Sequence, residues 1–224
     1  ICIYHLVLFE RLGTEWSKNC RLLRALPKQS QCFRNWIMAR NALLSAGFEQ
    51  TTLTNFERSA IARSGRRFVY EPLSFTPDQY DAVGYGPAAI STFLTDTMSV
   101  GTKLVNTDNS TDYLTAISEF GNSWTKSFDY NALDMRLLFV TRSISSLRIS
   151  RPGYSSTFGS DLFDDFAGVI QALNRQRLIQ IDDSGLILTP GGMFFADSVA
   201  GLFAWKRTQQ LRDHLWQRAE EDDA

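Results

Sequence analysis

Two short β-favouring runs near the end of the chain, Leu178-Ile-Gln-Ile-Asp182 and Leu186-Ile-Leu-Thr189, are separated by Asp183-Ser184-Gly185. Polar and conformationally permissive residues between two apolar runs predict reversal into an antiparallel hairpin. Upstream, from Asp161, the residues Phe166, Val169, Ile170 and Leu173 recur at helical spacing. Downstream, Pro190 and Gly191 open a second helical run from Met193 to Trp205, and a polar helix continues to about Ala219 before an acidic end. Pro at the start of a helix is favoured because its missing N–H has no partner there in any case. Helix, hairpin, helix is the layout of a winged-helix-like unit, and no other feature narrows the fold as much.

The opening of the chain reads differently. Cys2 to Leu8 is apolar on both faces, as in a parallel strand with neighbours on both sides. Beginning without Met and directly in such a strand is what a piece of a longer chain is expected to look like. A helix from near Pro27 to Ala46 places Phe33, Trp36, Ile37, Leu43 and Leu44 on one face, with Gly47 as its stop. Phe48 to Phe56, with three Thr, reads as a further strand, so the opening predicts the strand–helix–strand unit of parallel α/β folds. Glu57 to Gln79 is punctuated by Gly65, Pro72 and Pro77 and leads into Asp81-Ala-Val-Gly-Tyr-Gly-Pro-Ala-Ala-Ile-Ser91. An exposed strand is expected over Met98 to Asn106. A helix capped by Ser110 and ended by Gly121 should face Leu114, Ile117 and Phe120 inward, and another helix should span Ala132 to Ser145. These readings divide the chain into residues 1–95 and a mostly helical part, 96–224.

Composition removes several classes of function. The 23 basic and 24 acidic residues give a net charge of −1, no general attraction for nucleic acid or an anionic membrane. The longest apolar stretch, Met193 to Trp205, carries Asp197 and is too short to span a bilayer. Ile1 opens directly into an apolar strand with no basic n-region, so no signal peptide is expected. Three cysteines, Cys2, Cys20 and Cys32, are too few for a disulfide framework and match no compact metal motif, so they read as structural thiols in a reducing cytoplasm, with no metal site. Between Arg148 and Pro190 there are four Arg, five Asp and no Lys, with Asp161, Asp164 and Asp165 crowding one helix start. A DNA reader needs the opposite balance, so the unit is expected to be structural, a lid or a partner surface.

Five segments in order resemble the oxygen-independent coproporphyrinogen-dehydrogenase-like family of radical S-adenosylmethionine (SAM) enzymes. They are the strand Cys2-Ile-Tyr-His-Leu-Val7, the helix end Leu44-Ser-Ala-Gly-Phe48, Thr54-Asn-Phe56, the Asp81 to Ser91 segment with Gly84 and Gly86, and Leu188-Thr-Pro-Gly-Gly-Met193 after the hairpin. The resemblance covers nearly the whole chain. It implies the last strands and helices of a partial (β/α) radical SAM barrel, followed by a mostly helical domain with a winged-helix-like end. It also implies SAM as cofactor, in two copies. In that family a Cys-x3-Cys-x2-Cys motif holds a [4Fe-4S] cluster, and that motif is absent from these residues. The complete enzyme would draw it from the other half of the barrel, in the same or another chain, and this chain alone should be inactive.

By the same resemblance, Val7 touches one SAM and Ile90, beside Gly84 and Gly86, packs on the adenosine of the other. Tyr70 and Glu71 would face a small-molecule substrate, and no catalytic residue is assigned. Plainer readings stand beside these. A Gly-x-Gly is equally a simple turn, Val7 and Ile90 are core-type residues, Glu71 is a surface carboxylate type, His5 suits a core and His214 a solvated helix. The departure around Tyr70 to Phe75 inclines the expected reaction to methyl transfer or cyclopropanation. Oxidative decarboxylation of coproporphyrinogen III is the first alternative, and a non-catalytic heme-binding or assembly relative the second.

Overall fold

The computed structural model describes residues 1–4, 15–95 and 97–222, the last of these by backbone alone from 214. Val7 and His5, and most of the expected first strand, lie outside the described residues, as does the His214 side chain. The chain divides into two compact units, Ile1–Phe68 and Val69–Ala224. The boundary expected at 95/96 lies in the loop between two strands that pair with each other.

In the first unit, a single 3-10 turn at Trp16–Lys18 precedes α1 (Cys20–Ala25) and α2 (Gln29–Ser45). The Asn19 side chain accepts the Leu22 N–H and so caps α1. Gly47, at φ +80°, ends α2 in a conformation that side chains resist. Of the expected apolar face of α2, only Trp36 is buried.

Phe48 to Phe56 is not one strand. β1 (Phe48–Gln50) and β2 (Phe56–Arg58) form a short antiparallel pair instead, followed by α3 (Ser59–Ala62). The reversal is held by Thr51, whose N–H donates to Asn55 O at 2.9 Å, and by the Thr52 hydroxyl, which accepts the Asn55 N–H at 3.2 Å. Thr and Asn side chains compete for backbone partners in this way, and here they break the strand. Cys2 bridges Asn55 in antiparallel sense, and every strand pair among the described residues is antiparallel. The expected parallel pairing of Cys2 to Leu8 with Phe48 to Phe56 falls mostly on residues outside those described; among the described residues Cys2 meets Asn55 in antiparallel sense.

The second unit begins with α4 (Tyr70–Ser74) and a three-stranded antiparallel sheet of β3 (Ile90–Leu94), β4 (Gly101–Asn106) and β5 (Trp124–Tyr130), in that order. α5 (Ser110–Phe120) connects β4 to β5 and is capped by Asn109, one residue before the expected Ser110. Its Leu114 and Phe120 are 68% and 72% exposed, contrary to expectation. The spacing shows that the two share a face, not that the face is covered. The Tyr113 hydroxyl, bonded to Gly86 N–H at 3.1 Å, turns the stripe outward.

α6 (Ala132–Ser145), β6 (Arg148–Ser150), α7 (Arg151–Phe158), α8 (Leu162–Asp165), α9 (Ala167–Arg175), β7 (Ile179–Asp182), β8 (Gly185–Leu188), α10 (Pro190–Phe194) and α11 (Ala196–Asp222) complete the unit. The hairpin pairs Asp182 with Gly185, and β6 adds on its far side to give the order β6-β8-β7. Gly185, at φ +135°, has no room for a Cβ against Ile149 O. Met135, Val140, Ile144, Leu162, Leu173, Leu186 and Val199 form a core under this sheet, each almost fully buried. Each such side chain contributes about 1.5–3 kcal/mol by leaving water. Phe139, Tyr154, Phe166 and Phe203 link across it edge to face, with centroids 5.3 to 6.1 Å apart.

Candidate functional site

Residues 81–91 fold back on themselves. Ala82 bridges Thr92, and the Asp81 carboxylate accepts the Leu94 N–H at 2.9 Å. This return brings Gly84 against the backbone of Ile90. A Cβ on Gly84 would lie 2.5 Å from Ile90 O and 2.7 Å from its N and C, so glycine is required there by the chain's own backbone. Gly86 differs. At φ +101° it needs conformational freedom, yet a Cβ there would meet nothing within 4 Å. The next turn closes with Ala89 N–H donating to Gly86 O at 3.3 Å, and Ala88 takes φ +57°. A non-glycine residue in that region carries about 1–2 kcal/mol of steric cost.

The polar backbone of the segment is satisfied within the fold. Gly84 N–H donates to Ser91 Oγ at 3.0 Å and Gly86 N–H to the Tyr113 hydroxyl. Asn106 Nδ2 donates to Gly86 O at 2.9 Å and more weakly to Gly84 O at 3.4 Å. Ala88 N–H donates to Thr107 O at 2.7 Å. What remains toward solvent is apolar: Tyr85 is 86% exposed and Ile90 45%, with Val83 exposed beside them. Such a surface can pack against a flat apolar ring. It offers few donors or acceptors for the polar groups of a nucleoside or an amino acid.

Of the six expected site residues, the structure brings Gly84, Gly86 and Ile90 together. Tyr70, 71% exposed, and Glu71 stand apart from them in sequence, on the first turn of α4. Val7 is outside the described residues. Nothing in the residue pattern singles out Asn106 and Tyr113, which hold the segment from β4 and α5. Ser91 stood inside the quoted motif without a role. A concavity of about 570 Å3 between α6, α9 and α11, with Leu137, Val169, Phe203 and Trp205 in its walls, contains none of the six.

No group of three His, Cys, Asp or Glu able to hold a metal occurs among the described residues, and Cys2, Cys20 and Cys32 are free thiols. The described residues do not fit an iron–sulfur cluster. No helix among the described residues is long and apolar enough to cross a membrane.

The acids of the second unit are tied internally. Arg151 grips Asp161 through Nε, 3.0 Å from both carboxylate oxygens, and Asp161 also caps α8. Asp165 accepts from the Tyr154 and Ser160 hydroxyls, each at 2.6 Å, and pairs with Arg136 at 3.4 Å. Burial raises the Asp165 carboxyl, but those hydroxyls and Arg136 outweigh it and hold it below its ordinary range.

Residues 146–195 match the family model of the HemN C-terminal domain. Among solved structures the chain is similar to coproporphyrinogen III oxidase (HemN) from Escherichia coli, described as a radical SAM enzyme, at a TM-score of 0.57 and 17% identity. The likeness covers 80% of this chain and 42% of that one, so the chain spans less than half the length of the protein it resembles. No curated protein sequence matches.

Proposed function

We propose, for a chain whose residues 146–195 match the HemN C-terminal domain and whose fold is similar to that of HemN over 80% of its length, that it serves as the non-cluster portion of a HemN-like radical SAM enzyme. The observation that carries this is the fold likeness over four-fifths of the chain, which extends well beyond the matched domain. In such an enzyme SAM supplies a carbon-centred radical that abstracts hydrogen. The role proposed for this chain is to hold and cover. Ile90 and Tyr85 offer the adenine ring an apolar surface, and Gly86 keeps that surface open. Ser91, Asn106 and Tyr113 fix its shape. Val7 is proposed for a second SAM, and Tyr70 and Glu71 for a small-molecule substrate. The partial-barrel assignment of the opening belongs to the same proposal, and so does the winged-helix-like assignment, which the order of α6, β6, α7 to α9, β7 and β8 supports.

Within this reading, methyl transfer or cyclopropanation rests on the departure around Tyr70 to Phe75. Decarboxylation of coproporphyrinogen III is supported equally, by the activity named for the similar structure. The test is SAM titration of the chain and of Ile90→Asp. Because Ile90 is nearly half exposed, the substitution should leave the melting temperature within about two degrees, while the desolvated carboxylate weakens SAM binding roughly tenfold. Equal SAM affinity in both proteins would remove the glycine segment from the site.

A further inference from the structure

The near-zero net charge of the chain conceals a strong division between its two units. Residues 1–68 carry eleven Lys or Arg against four Asp or Glu, a net of +7, and residues 69–224 carry twelve against twenty, a net of −8. The basic excess is concentrated. From Trp16 to Phe48 there are six cations, Lys18, Arg21, Arg24, Lys28, Arg34 and Arg40, and no acid at all. A second group, Arg63, Arg66 and Arg67, follows α3.

Internal pairing neutralises few of these. Lys18 pairs with Glu15 and Arg63 with Glu49, while Arg40 donates to Gln50 Oε1. Arg21, Arg24, Lys28, Arg34, Arg66 and Arg67 are exposed, and none pairs with a carboxylate among the described residues. Most of the cations are Arg, whose planar fork matches phosphate oxygens in pairs. Exposed aromatic rings stand next to the cations in sequence: Trp16 two residues before Lys18, and Phe68 directly after Arg67. Cations that follow a phosphate chain and exposed rings on which bases stack are the two parts of a surface for single-stranded nucleic acid. A lipid surface fits less well. The exposed side of α2 mixes Gln29, Gln31, Arg34, Asn35 and Asn41 with Met38, Ala39, Ala42 and Leu44, too polar a face to bury in lipid.

We propose that the first unit, through Arg21, Arg24, Lys28 and Arg34 with Trp16 beside them, binds single-stranded nucleic acid without sequence preference. This is independent of the radical SAM reading and of the acidic second unit, which remains unsuited to DNA.

The experiment is fluorescence anisotropy of labelled dT20 with the whole chain between 50 and 200 mM salt. Binding should weaken linearly in log affinity against log salt. In the triple variant R21A/R24A/R34A, whose changes are all exposed, affinity at 50 mM salt should fall roughly tenfold or more and the slope by about 2. Trp16→Ala should weaken binding roughly fivefold or more with an unchanged slope. R175A/R177A in the second unit should change nothing. Circular dichroism melts of all variants exclude loss of fold as the cause. No binding at 50 mM salt, an unaffected triple variant, or equal competition by polyglutamate or by anionic phosphatidylserine vesicles would each overturn the proposal.

Discussion

Gly84 and Gly86 look alike in the sequence and do different work. Gly84 is required because the chain returns six residues later and lays the Ile90 backbone against it. Gly86 is required only for its φ of +101° and faces open space. Gly84→Ala should therefore destabilise the second unit by about 1–3 kcal/mol, since a backbone must move. Ala88→Gly should stabilise it by about 0.5 kcal/mol, because the strain at φ +57° outweighs the added chain entropy of glycine. Urea denaturation midpoints of the two variants measure both. The motif was legible as a place where backbone comes close to something. That the something is Ile90's own backbone could not be read, because it depends on the Ala82–Thr92 bridge. Asn106 gave no signal, since an Asn at the end of a strand has many uses.

At the scale of elements, the start of α6 combines a local and a distant tie. Asn131 and Asp134 form a capping box, and the largely buried Asp134 also holds Arg207 of α11 by two hydrogen bonds, at 2.7 and 2.9 Å. Asp134→Ala removes the acidic half of the capping box and leaves the guanidinium without its carboxylate, at an expected cost of about 3 kcal/mol. Adding Arg207→Met should recover a large part of it, because no unpaired charge remains. Denaturant unfolding of the single and double variants decides the matter.

Acid should loosen the same unit. Asp161, held by Arg151, and Asp165, held by Ser160, Tyr154 and Arg136, both titrate below their ordinary range. Carboxyls depressed by folding stabilise fully above their unfolded pKa of about 3.9, and that contribution is lost as pH falls through the lower, folded value. Stability should thus be level from pH 7 to about 5 and fall below about 4. Asp165→Asn should lower it at pH 7 and flatten the acid limb.

The hairpin was readable because its turn chemistry is local. β3 and β5 were not, since Trp-Thr-Lys-Ser-Phe-Asp-Tyr acquires its strand character from the pairing with β4. The apolar stripe of α5 was recognised but assigned to the wrong side, because Tyr113 decides its orientation from across the chain.

For the whole molecule, the order of motifs carries the family resemblance, and the fold likeness to HemN agrees with it. The charge division between the units was invisible in the totals, which cancel. The three cysteines, read as structural thiols, stand as free thiols in exposed or half-exposed positions. The central claim is that this chain brings the C-terminal domain and a SAM-facing segment but not the iron–sulfur ligands. Anaerobic reconstitution of the chain with iron and sulfide, followed by metal analysis and electron paramagnetic resonance after reduction, tests it most directly. The account predicts substoichiometric iron and no cluster signal. About four irons per chain, lost when Cys2, Cys20 and Cys32 are changed to Ser, would contradict it.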